Sequence, residues 1–113
     1  MATATTPGDL LADAERSLTA ARLADRVLAQ HPALPVELIH ACGADGTGST
    51  EPLLELVLVD GATSAVTDWA HAAGADVTVT RDVLLSIQHR AITEIDGVAV
   101  WVTAYERDDE PED

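Results

Sequence analysis

The chain has no lysine, no asparagine and no phenylalanine, and only one cysteine and one methionine. Each absence excludes something. Without lysine, all side-chain positive charge apart from histidine rests on Arg16, Arg22, Arg26, Arg81, Arg90 and Arg107, against 20 acids, for a net charge of −14. Neutralising phosphates takes clustered basic side chains, so direct binding to nucleic acid or to an anionic membrane is disfavoured. With Cys42 alone, no disulfide can close within the chain. Without phenylalanine, the aromatics are Trp69, Trp101 and Tyr105, and leucine, valine, isoleucine and alanine must build the core. No stretch approaches the roughly 18–20 apolar residues of a membrane-spanning helix. The opening Met-Ala-Thr-Ala-Thr-Thr-Pro-Gly has neither a charged n-region nor an apolar h-region, so the expected location is the cytoplasm. Lysine and asparagine use AT-rich codons and alanine GC-rich ones, so the arginine usage reflects a GC-rich coding sequence and says little about activity.

What is present fits one domain. A chain of 113 residues with 47% hydrophobic content can hold a single core without staples. Residues 1–8 read as a disordered lead, 9–105 as the folded domain and 106–113 as an acidic disordered tail. The segment from Arg107 to Asp113 carries one plus and five minuses, or −4, which leaves −10 for residues 1–106. The folded body is therefore acidic as well.

The organising stretch is 53–79. An apolar run from Leu53 to Val59 is followed by Asp60-Gly61, a helical pattern over about 63–73, Gly74, and a second strand over 76–80. A strand apolar on both faces and followed at once by a helix is the pattern of a buried strand with a helix across it. In the helix, Val66, Trp69, Ala70 and Ala73 share a face, Thr63 or Ser64 is the expected N-cap, and Gly74 suits a left-handed terminus. Upstream, a helix capped by Thr6 or Asp9 ends before Pro32, with Leu11, Ala14, Leu18, Ala21 and Leu28 as its apolar stripe. Val36 to Cys42 reads as a strand pairing antiparallel with 53–59. The sharpest local signal is Asp96-Gly97 between two alternating runs, a hairpin turn that needs positive φ at both residues. Pairing Ile95 with Val98 sets Thr93 opposite Val100, Ala91 opposite Val102 and His89 opposite Ala104. The other face then holds Ile92 with Trp101 and Arg90 with Thr103. The first face is expected to be buried.

These elements predict an α+β two-layer sandwich in the order αββαββ, with two helices on one face of a mainly antiparallel sheet of four to five strands. The run leading into the hairpin is either one long strand broken near Arg81-Asp82 or two strands joined there. In topology the order resembles a ferredoxin-like unit whose first strand has been moved to the end. That resemblance concerns architecture and implies no activity.

Signals for chemistry are sparse. The loop Asp45-Gly46-Thr47-Gly48-Ser49-Thr50-Glu51 precedes a strand and lacks lysine, so it fits neither phosphate-loop spacing, and its carboxylates are too few for calcium. His40 and Cys42 share a strand face, and His89 is the one further metal-ligand candidate, but no established ligand spacing joins them. Ser64, Ser86, Cys42 and His71 sit in no nucleophile signature. The expectation is a non-enzymatic protein with no metal and no cofactor.

The residues that stand out are Trp101, Ile92, Arg90, Tyr105 and Thr103, on the hairpin face left outside the core. Aromatic and aliphatic side chains flanked by arginine are the usual material of protein interfaces. The expected function is thus a protein-interaction or regulatory module, binding a protein partner, basic in charge, or a second copy of itself. The alternative is an acidic mimic of nucleic acid that occupies a basic DNA- or RNA-binding protein.

Overall fold

Helix α1 (Pro7–Gln30) leads into β1 (Val36–Cys42) and β2 (Leu53–Leu58), then α2 (Thr63–Ala73), β3 (Asp76–Arg81), β4 (Ser86–Ile95) and β5 (Val98–Arg107). The computed structural model describes residues 7–43, 51–81 and 86–107. The five strands form one sheet in the order β1-β2-β5-β4-β3, and both helices pack on one face of it. This is the two-layer α+β arrangement that the sequence predicts. Helix α1 runs from Pro7 and β5 continues to Arg107. Thr6 and the loop over 45–50 lie outside the described residues; Asp9 lies inside α1.

The hairpin is built as its turn residues require. Asp96 and Gly97 have φ of 51° and 80°, and the register runs from Ile95↔Val98 through Ala91↔Val102 to Ser86↔Arg107. Strand β1 pairs antiparallel with β2, as expected, with a register irregularity between Val36 and Leu38. Strands β3 and β4 pair antiparallel, so the chain reverses between Arg81 and Ser86. The open choice at Arg81-Asp82 is thereby resolved as two strands.

One contact departs from the ferredoxin-like pattern. Strand β2 lies parallel to β5, while the other three neighbouring pairs are antiparallel. The crossover through α2 carries the chain from β2 to the far edge at β3, and the whole β4–β5 hairpin fills the gap. Two inserted strands, rather than one, leave β2 and β5 pointing the same way.

The core lies between the helices and one face of the sheet. Leu54, Leu56 and Leu58 from β2, Val98, Val100, Val102 and Ala104 from β5, and Ala91 from β4 are buried there. Helix α2 contributes Val66, Trp69 and Ala70, while Ala73 is exposed. Its N-cap is Ala62, with no side-chain cap, because the turn after β2 is held by backbone bonds. The Gly61 N–H donates to the Tyr105 carbonyl at 2.8 Å and the Ala62 N–H to Val59 at 3.1 Å, which places Thr63 already inside the helix. Gly74 ends it in the left-handed conformation at φ 71°.

Helix α1 turns a different stripe to the sheet from the one expected. Ala20, Leu23, Ala24 and Val27 are buried, whereas Leu11 is 67% and Leu18 48% exposed, with Ala14 and Ala21 also outside. Only Leu28 of the expected stripe touches the core, and only in part. Both sets obey the helical period, but Ala20 and Ala24 put small side chains where the backbone meets the sheet. Near its start α1 meets Gly43, whose carbonyl accepts from Arg16 Nε at 2.8 Å. A Cβ there would fall 2.7 Å from the Asp13 carbonyl oxygen, so close approach requires glycine.

Candidate protein interface on the open sheet face

The sheet face away from the helices is set by strand alternation and register. Along β5 it receives Trp101, Thr103, Tyr105 and Arg107; along β4, Ile92, Arg90 and Gln88; along β2, Glu55 and Val57; along β1, Leu38 and His40. All five residues singled out in the sequence therefore share this face, on two adjacent strands. Their exposure differs. Ile92 is 47% and Tyr105 36% exposed, Trp101 is half-buried, and Thr103 is fully buried beneath its neighbours.

Arg90 joins three strands. Its guanidinium carbon lies 4.5 Å from the Trp101 ring centroid, its Nε donates to Thr103 Oγ1 at 3.0 Å, and its Nη2 donates to Glu55 Oε2 at 3.1 Å. The Thr103 hydroxyl in turn donates to the same Glu55 oxygen at 3.0 Å. Arg90 and Glu55 side chains are only 21% and 15% exposed. A pair this dry is costly to form, and its geometric effect is to fix the ring above it in one orientation. Among the described residues, no buried side-chain nitrogen or oxygen lacks a partner.

The arrangement is a neutral, rigid centre with apolar side chains around it. Arg90 and Thr103 build the platform beneath, and Trp101, Ile92 and Tyr105 present the surface. Sequence reasoning missed Glu55 and Leu38, the latter 58% exposed. The signal for Glu55 was a lone acid inside an apolar strand, a residue that must find a cation when half-buried. At the rim, Gln88 Nε2 donates to the Tyr105 hydroxyl at 3.2 Å.

The loose metal candidates do not converge. His40 and Cys42 pair with Glu55 and Leu53 on the open face, whereas His89 pairs with Ala104 on the helix face and sits 2.9 Å from Glu106. Among the described residues no group of three His, Cys, Asp or Glu side chains is placed to hold a metal ion. A groove of about 370 Å³ lies between the 30–34 connector and α2, with His31 edge-on to Trp69 at 6.5 Å and Asp68 in its wall. The outer side of α1, with Leu11 and Leu18, is a second uncovered apolar surface. Among the described residues no helix is long and apolar enough to cross a membrane. No protein-family model matches the chain, and no curated protein and no solved structure matches it.

Proposed function

We propose that the chain is a non-enzymatic protein-interaction module of the cytoplasm and that the open sheet face is its binding surface. One observation carries this reading: Ile92 is exposed beside a half-buried Trp101 in the same row, with Tyr105 exposed two rows along β5 and Leu38 exposed on the edge strand, all on the face that no helix covers among the described residues. Isolated exposed apolar residues are ordinary, but aromatic and aliphatic side chains gathered on one exposed face are the composition of interface centres. The platform supports the same reading. Trp101 is held by Arg90 before any partner arrives, so little side-chain freedom is lost on binding. A single cysteine, which can close no disulfide within the chain, suits a reducing compartment.

The test is capture from lysate of the source organism with tagged wild-type chain and with Ile92→Asp, each washed at low and high salt. Specific retention by wild type at high salt, lost in Ile92→Asp, is the expected result. Equal retention by both chains would refute the face. A basic nucleic-acid-binding protein released by salt and indifferent to Ile92→Asp would replace this reading with the acidic mimic.

A further inference from the structure

We propose that the occupant of the open face is a second copy of this chain, packed across a two-fold axis that reverses strand direction. This rests on the open face being a protein interface, and it names the partner. In the dimer each Trp101 lies against Tyr105 of the second copy, and each Glu94 lies beside Arg107 of the second copy.

The register dictates this pairing. Along the hairpin the open face reads, in rows, Glu94↔Ala99, Ile92↔Trp101, Arg90↔Thr103, Gln88↔Tyr105 and Ser86↔Arg107. Asp76 joins the second row through its pairing with Ile92. Among the described residues the face is therefore polar along its strands: Asp76 and Glu94 stand at one end and Arg107 at the other, while the acids that follow Arg107 in the sequence lie outside those residues. Arg90 in the middle is already taken by Glu55 and contributes no net charge.

Two copies meeting face to face can be related by an axis along the strands or by one across them. The first sets like ends together, Arg107 near Arg107 and acids near acids. The second exchanges the ends. Placed across the Arg90–Thr103 row, it brings Arg107 within one strand spacing, about 4.8 Å laterally, of Glu94 of the second copy. The same operation lays Trp101, two residues before Thr103, over Tyr105, two residues after it. Packed sheets stand about 10 Å apart and cross at about 30°, which tilts the rows without exchanging their ends. Side chains as large as tryptophan and tyrosine suit a gap of that depth.

Size sets the strength. Four strand spacings of about 4.8 Å and strands of about 20 Å give roughly 400 Å² per copy, on the order of 800 Å² in all. That is below the usual size of specific interfaces, so the dimer is weak, reversible and concentration-dependent. Two chains of −14 also repel, so association strengthens from about 0.01 M to about 0.15 M salt as that repulsion is screened.

The experiment is sedimentation equilibrium of the full chain over a wide concentration range at fixed salt. The variants are Glu94→Arg, Arg107→Glu, the double exchange, Ile92→Asp and Leu18→Glu, with the milder Glu94→Gln and Arg107→Gln beside them, and unfolding is checked for each. A monomer–dimer equilibrium is expected in wild type, weakened on the order of tenfold by each single exchange and largely restored in the double exchange. Ile92→Asp abolishes it, and Leu18→Glu leaves it unchanged. A wild type that stays monomeric throughout overturns the second copy as partner; Ile92-sensitive capture of another protein would then leave the interface reading standing. A dimer indifferent to Ile92→Asp and broken by Leu18→Glu overturns both. A dimer sensitive to Ile92→Asp but unmoved by any change at Glu94 or Arg107 overturns the strand-reversed arrangement.

Discussion

Arg90 stacks on Trp101 at 4.5 Å while its guanidinium is held from the side by Glu55 at 3.1 Å. Residues 35 positions apart in the chain thus fix the orientation of the largest side chain on the open face. Arg90→Met keeps the bulk and removes the donors, leaving Glu55 short of a partner in a largely dry site. Urea unfolding should show a loss of about 2–3 kcal/mol. Arg90→Lys keeps the charge but not the planar fork or the stacking, and should lose about 1 kcal/mol. Wild-type stability in Arg90→Met would mean that the platform is not formed.

Helix α1 offers a test of which stripe holds it. Leu23 is buried against the sheet and Leu18 lies outside. Leu23→Ala should lower the unfolding free energy by about 2–4 kcal/mol, and Leu18→Ala by less than about 0.5 kcal/mol. Reversed sizes would return the helix to the stripe through Leu11 and Leu18.

The hairpin turn separates backbone from side-chain effects. Gly97 sits at φ 80°, so Gly97→Ala should cost about 1–2 kcal/mol in chemical unfolding. Asp96→Asn should change stability by less than about 0.5 kcal/mol, because asparagine accepts positive φ and the Arg26–Asp96 pair is exposed. A large loss in Asp96→Asn would assign that ion pair a role its exposure does not suggest.

How much was legible follows from how local each determinant is. The hairpin register was readable because Asp96-Gly97 fixes it and the alternation on either side agrees. That placed Trp101, Ile92 and Tyr105 on one face before any tertiary contact was known. The end of α1 was readable because Pro32 stops it. Its buried face was not, since Leu11–Ala14–Leu18–Ala21 and Ala20–Leu23–Ala24–Val27 both follow the helical period and only the sheet chooses between them. The parallel β2–β5 contact depends on where a distant hairpin inserts, which no local pattern records. Glu55 was missed for the same reason: its hydrogen bonds reach 35 and 48 residues along the chain to Arg90 and Thr103. Thr103 was named as a surface residue because alternation gives its face but not the bulk of the side chains that cover it.

The most direct measurement of the central claim is Ile92→Asp, followed by association and unfolding on the same sample. Ile92 is the clean probe, since Trp101 also covers the platform and Ile92 is half exposed on the face opposite the core. The expected result is a folded chain, within about 1 kcal/mol of wild type in urea, that no longer associates with its partner. A folded variant that associates as wild type does would contradict it.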